Sequence, residues 1–258
     1  MTQEEIVEPQ RLQAGQGWQW IKQGYALFMK APLLWVALIV ICFVAGALLS
    51  AIPVVGDILS SLLMPAVVVG LMTGCRAVEK DEELEIAHLF NGFKQHTSQL
   101  VMLGGLSLVA QLLILGAMMA VGGATLVGIL ISGQPPEDPQ VMMQAFAGAG
   151  FAILLGLILF CILIMAMQFA PMLVYFRNVA PVEALKLSLR AFLANLGPIL
   201  VYGLILILLA VLATIPIMLG WLVLLPVIFT SLYASYNGIF PPSTEGAAKP
   251  TAQTGTEA

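Results

Sequence analysis

Ile52-Pro53-Val54-Val55-Gly56-Asp57-Ile58-Leu59-Ser60-Ser61-Leu62-Leu63-Met64-Pro65 decides how the chain is to be read. It lies between two long apolar runs, and its pattern returns as Ile215-Pro216-Ile217-Met218-Leu219-Gly220-Trp221-Leu222-Val223-Leu224-Leu225-Pro226. In each copy Ile-Pro closes one apolar run, a Gly follows, and Leu-Leu leads to a second Pro inside the next run. Proline stops a helix by removing a donor and clashing with the preceding turn, and glycine tolerates positive φ. Each copy is therefore expected to be the corner of a transmembrane helical hairpin. Pro53, Gly56, Pro216 and Gly220 make the corners, and Pro65 and Pro226 kink the helices that follow.

The bulk composition agrees with a membrane reading. Of 258 residues, 60% are hydrophobic and 9% are charged, and the mean hydropathy is +1.00. A soluble domain would carry roughly a quarter charged residues. Charge-free apolar runs recur, each long enough to cross a hydrocarbon core of ~30 Å. A net charge of −4 argues against a nucleic-acid partner. Cys42, Cys75 and Cys161 are far apart, form no CxxC pair and read as small buried hydrophobes. Glu4, Glu5 and Glu8 stand where a secretory signal would carry bases, so no cleavable signal is expected.

In chain order, 1–16 is a polar tail, 17–240 one six-helix membrane domain, and 241–258 a Pro/Ser/Thr/Gly/Ala tail expected to be disordered. Trp18, Ile21, Tyr25 and Phe28 fall at helical spacing before Pro32, as in an aromatic amphipathic helix lying at a membrane surface. Spans follow at about 33–52 and 58–75. A polar return with the acidic cluster Glu79 to Glu85 then carries a second amphipathic segment, Ile86, Leu89, Phe90 and Phe93. The third and fourth runs, 100–131 and 141–176, are overlong; the third must tilt, break near Gly122-Gly123 or project. Between them Ser132 to Gln140 is a turn; Pro171 is expected to kink the fourth run, and Arg177 marks its exit. Pro181 to Leu193 is a third amphipathic helix, with Val182, Leu185, Leu189 and Phe192 on one face. Spans five and six take about 197–215 and 221–237.

The fold class expected is thus all-α: six transmembrane helices as three hairpins, each preceded by an interfacial amphipathic helix. The pieces also suggest one unit used three times, about 17–80, 81–180 and 181–240. With six spans all ten Lys and Arg fall on one side, which places both termini in the cytoplasm of a bacterial inner membrane. Gly116, Ala120, Ala124 and Gly128 face Gly148, Ala152 and Gly156 as stripes of small residues, so the third and fourth runs are expected to pack closely.

No ionisable residue lies inside an expected span, and such residues usually mark ion or proton pathways. The mid-span polar groups Ser107, Gln111 and Gln168 are candidates for a substrate or lipid groove, and Gln111 and Gln168 are placed to bond across two helices. Glu85-Ile86-Ala87-His88 has ExxH spacing, but a single copy on a solvated face reads as a surface histidine rather than as a metal site. No nucleophile, phosphate-loop or dinucleotide motif is present, and no catalytic residue, metal or cofactor is expected.

The entry Gly24-Tyr25-Ala26-Leu27-Phe28 with Pro32 and Trp35, the Ile-Pro-x-x-Gly corner and Ala170-Pro171-Met172-Leu173-Val174 resemble a group of uncharacterised bacterial inner-membrane proteins. Ala184-Leu185-Lys186-Leu187-Ser188 with Asn195 and Pro198, and Pro226 with Tyr233 and Tyr236, extend the likeness over roughly 17–240. That group is similar to the membrane domain accompanying some glycerophosphoryl diester phosphodiesterases. In those enzymes catalysis belongs to a separate soluble domain, so the resemblance implies a fold and a location and carries over no catalytic residue. The expected function is a non-enzymatic membrane factor acting through contacts with membrane lipids, with another membrane protein or with a second copy of itself. The alternative is a transporter or lipid-handling protein with a groove between hairpins.

Overall fold

A computed structural model describes residues 8–241 apart from 124–127, 129–130, 132–138 and 217. The polar residues 1–7, the turn at 132–138, Ala124, Thr125 and the tail from 242 onward lie outside the described residues. All regular elements described are helical: α1 Gln16–Lys30, α2 Pro32–Ser50, α3 Val55–Glu79, a 3-10 helix Ile86–Phe90, α4 Asn91–Lys94 and α5 Thr97–Met118. A π-helical turn, Met119–Gly123, extends α5. α6 Pro139–Met167, α7 Ala170–Arg177, α8 Pro181–Ala194, α9 Leu196–Thr214 and α10 Trp221–Ile239 complete the chain. Among the described residues six helical stretches are long and apolar enough to cross a membrane: α2, α3, α5, α6 with α7, α9 and α10.

The corners work differently from expectation. Neither Gly56 nor Gly220 has positive φ; each is needed because the chain doubles back against its own preceding helix. A Cβ on Gly56 would stand 1.8 Å from the Leu49 carbonyl oxygen, and one on Gly220 would stand 2.5 Å from Ala213 Cα. Positive φ falls instead on Val54 (64°) and Met218 (62°). At Val54, with ψ −53°, the Val55 N–H donates to the Pro53 carbonyl at 2.7 Å. That closes a γ-turn of the rare, strained kind.

Pro65 and Pro226 lie inside α3 and α10. Pro65 frees the Ser61 carbonyl of its helical donor. Gly104 of α5 packs there, where a Cβ would come within 2.6 Å of the Ser61 and Leu62 oxygens. The third run breaks at Gly122, as one of the expected alternatives had it. Gly122 meets Gly148 of α6 backbone to backbone, at 2.4 Å from a hypothetical Cβ, and Gly156 receives Met118. Close packing of these two runs is therefore present, although Gly116 faces open space.

The fourth run breaks at Gln168 and Phe169, just before Pro171, which occupies the second position of α7. Ser188 of α8 completes the break. Its hydroxyl donates to the Met165 carbonyl at 2.9 Å and accepts from the Phe169 N–H at 3.0 Å. These are the two groups that an unbroken helix would have bonded to each other, so one inserted hydroxyl bridges the gap.

The short helices do not sit on their own hairpins. α1 packs on α9 and α10, the 3-10 helix and α4 pack on α3, and α8 packs on α6 and α7. Each amphipathic segment thus lies on the second span of the preceding hairpin, and the first closes the ring onto the last. Small residues make the contacts: Gly24 against Ser231, Gly92 against Ala66, and Ser188 at the α6–α7 break. Half or more of the most apolar window of α3 and α10 is buried, against no more than 22% for α2, α5, α6 and α9. The second spans, with α7, therefore form the core, and Met72, Leu173 and Tyr233 are all buried there.

The inward faces also differ from the apolar stripes expected. α1 buries Gly17, Trp20, Ile21, Gly24 and Phe28, while Trp18 and Tyr25 face out. α8 buries Pro181, Ala184, Ser188 and Ala191, while Val182 is exposed and Leu185, Leu189 and Phe192 are half-buried. Where the surroundings are lipid, outward side chains are as apolar as inward ones, and size rather than polarity selects the packed face.

Candidate functional site

α3, α7 and α10 end side by side, and a cleft of about 690 Å³ opens between their ends. Arg76, Glu79 and Lys80 come from α3 and its cap, Arg177 and Asn178 from the end of α7, and Tyr236 and Asn237 from α10. Helix ends of this polarity present unpaired carbonyls, which favours cations in the last turn. Arg177 is used in that way: it donates to the Phe240 carbonyl at 3.3 Å and also to the Pro241 carbonyl. Arg76 stacks over the Phe176 ring at 5.3 Å, and Phe176 packs against Tyr236 at 6.0 Å between centroids.

Glu79 forms the wall between this cleft and a second of about 520 Å³, bounded by Trp20, Gln23 and Lys30 of α1. Its carboxylate accepts from the Tyr233 hydroxyl at 2.7 Å and from the Asn237 amide at 3.3 Å. Lys30 pairs with Asp81 at 2.6 Å and donates to the Val78 carbonyl at 3.0 Å, tying α1 to the end of α3. Deeper in the fold, buried Asn195 binds residues 10–12 through the Leu12 N–H at 2.9 Å and the Gln10 carbonyl at 2.8 Å.

Of the residues expected to line a groove, two are brought together. The exposed Gln111 amide donates to Ser107, one turn back on the same helix, at 3.1 Å. Gln168 sits in the α6–α7 break, and no hydrogen bond joins it to Gln111 among the described residues. The Glu85–His88 pair is a helix cap: the Glu85 N–H donates to His88 Nδ1 at 3.0 Å, and the Glu85 side chain accepts from the His88 backbone. The cleft itself was missed in the sequence. Its visible trace is Arg76, Arg177 and Asn237, each at the C-terminal end of a second span.

The chain is 31% identical over 255 residues to a Burkholderia thailandensis protein named "Probable inner membrane protein", across 90% of this chain and 94% of that relative. The chain belongs to this inner-membrane protein family. No family model matches it, and no solved structure matches it. The protein is therefore a multi-pass inner-membrane protein, with six helices among the described residues long and apolar enough to span. The resemblance to phosphodiesterase membrane domains has no counterpart among these matches.

Proposed function

We propose that this inner-membrane protein is a non-enzymatic factor that acts through lipid or partner-protein contacts at the face where α3, α7 and α10 end. One observation carries the reading. The three amphipathic segments ringing that face all turn apolar and basic side chains outward together. On α1 these are Trp18, Lys22, Tyr25 and Met29; in the 3-10 helix and α4, Phe90, Phe93 and Lys94; on α8, Val182, Lys186, Arg190 and Leu193. Aromatic and basic side chains in that combination suit a headgroup layer, with the apolar part in the acyl boundary and the charge among phosphates.

Arg76, Lys80 and Arg177 lie at this face and Lys22, Lys94, Lys186 and Arg190 on the short helices around it, which favours a cytoplasmic position for it and for both termini. The ring in which each amphipathic segment lies on the preceding hairpin favours a threefold repeat of about 17–80, 81–180 and 181–240. The likeness to the membrane domain of glycerophosphoryl diester phosphodiesterases belongs to this reading as a kinship of fold without the catalysis.

Extraction in native polymer nanodiscs, with lipids and proteins quantified against bulk membrane, tests the role. The expected result is enrichment of particular lipids or of one stoichiometric protein, reduced when Lys22, Lys186 and Arg190 are replaced by Gln. A lipid profile equal to bulk membrane, with no protein above the control, contradicts it.

A second reading, a transporter or lipid-handling protein, is favoured by exposed Gln111 alone. Its amide donates to Ser107, and its carbonyl oxygen remains as an exposed acceptor in an apolar span, where a polar group of a passing substrate would meet it. Gln111→Leu with Gln168→Leu leaves every phenotype of a deletion strain complemented if this second reading is wrong.

A further inference from the structure

We infer that the cleft between the ends of α3, α7 and α10 is a binding site for a phosphate-bearing anion. Three cations, Arg76, Lys80 and Arg177, line it against a single carboxylate, Glu79. This is a local excess of positive charge in a chain whose net charge is −4. The ordinary role of such cations, capping helix carbonyls, accounts for Arg177. It does not account for Arg76 or Lys80. Among the described residues neither side chain makes a hydrogen bond or an ion pair, and the guanidinium of Arg76 lies over the Phe176 ring. Stacking uses the face of a guanidinium and leaves the N–H groups at its edge directed sideways, in the fork that matches two oxygens of a phosphate.

The single carboxylate is held away from that role. Glu79 already accepts hydrogen bonds from Tyr233 and Asn237, and it stands at the wall toward the second cleft. A further observation points to a ligand. The hydroxyl of Tyr236, which lines the cleft, is on a residue only 3% exposed; the group beside it is the Arg177 guanidinium, a donor, and no acceptor meets its O–H among the described residues. A buried O–H left without an acceptor costs free energy, and an anion seated beside Arg76 and Arg177 would supply that acceptor. Phosphate fits the donor set because guanidinium, ammonium and phenol hydroxyl are all donors and offer it no competing acceptor charge. A volume of about 690 Å³ exceeds a bare phosphate and leaves room for a headgroup or another small organic substituent.

Two sources share this chemistry: an anionic lipid reaching in from the surrounding leaflet, and a soluble phosphate compound. Purified full-length protein in a neutral detergent, titrated with phosphatidylglycerol and with phosphatidylcholine and followed by native mass spectrometry, tests the site. Arg76→Gln with Lys80→Gln is expected to weaken phosphatidylglycerol binding by about tenfold or more while leaving phosphatidylcholine unchanged. Glu79→Gln is expected to tighten it. Tyr236→Phe removes one oxygen, keeps the packing, and is expected to weaken binding several-fold with no change in thermal stability.

Inorganic phosphate and glycerol phosphate are then added as competitors. Displacement of phosphatidylglycerol by them assigns the site to soluble phosphates as well, and absence of displacement assigns it to lipid. In the absence of lipid, phosphate binding that the charge variants abolish supports the same site. Unchanged affinity for both lipid and phosphate in the double variant and in Tyr236→Phe overturns the proposal. Equal loss of phosphatidylcholine binding overturns it too. The lipid enrichment and partner readouts of the proposed function are scored separately, on variants of the outward-facing Lys22, Lys186 and Arg190.

Discussion

Ser188 is wholly buried, and its one hydroxyl substitutes for the backbone bond that the chain gives up between Phe169 and Met165. Removing it leaves an N–H and a carbonyl unpaired where water is scarce, and each such group costs about 1–3 kcal/mol. Ser188→Ala is accordingly expected to lower the thermal transition of the protein in detergent by several degrees. An unchanged transition would mean that the break satisfies itself. Val54 presents the opposite case. It is 68% exposed, packs little, and holds a backbone geometry that costs a β-branched residue on the order of 1–3 kcal/mol. Val54→Gly relieves that strain and should raise the same transition, since little contact is lost.

These two residues also show where sequence reading stops. The break before Pro171 was legible as a proline in an overlong run. The residue that repairs it, 19 positions later on another helix, was not, because a serine on an amphipathic helix carries no mark of what lies across from it. At Pro53–Gly56 the corner was legible, but its physical cause was misread. The glycine serves close approach, and the adjacent valine takes the strain.

For the helices as elements, hydropathy located all six spans, because length and composition alone set that property. It did not identify their inner faces. In α1 the packed face is set by Gly17 and Gly24, whose hypothetical Cβ atoms would stand 2.3 Å from the Pro198 carbonyl and 2.5 Å from the Ser231 nitrogen. Gly92 is equally confined, at 2.2 Å from the Ala66 carbonyl. These nearest obstacles are backbone atoms, which cannot swing aside as a side chain can. Gly24→Ala and Gly92→Ala should therefore each destabilise by roughly 1–3 kcal/mol by forcing a short helix off its neighbour. Gly46 and Gly203, on α2 and α9, have nothing within 4 Å. There the same substitution should be neutral or stabilising by up to about 1 kcal/mol through helix propensity. Parallel unfolding of the four variants separates contact from propensity, and equal effects in both pairs would refute the packing described.

On the scale of the whole molecule, the second spans gather in the middle and the amphipathic segments lock each hairpin to the one before it. That geometry brings three helix ends together and thereby makes the cleft. Its residues, Arg76, Arg177 and Tyr236, are separated by up to 160 positions in the chain, so no local motif announced them. The expected groove at Ser107, Gln111 and Gln168 was a reading of polarity alone; of the three, the fold joins Gln111 to Ser107 within one helix.

The account depends on this cleft and the ring of short helices lying together on the cytoplasmic side of a six-span bundle. Cysteine labelling in intact cells tests that most directly. In a background with Cys42, Cys75 and Cys161 replaced, single cysteines are placed at Asp57, in the corner between α2 and α3, and at Glu83, beyond the end of α3. A membrane-impermeant maleimide that reaches the periplasm should label Asp57→Cys in intact cells and Glu83→Cys only after lysis. Labelling of Glu83→Cys in intact cells, with Asp57→Cys protected, would contradict it.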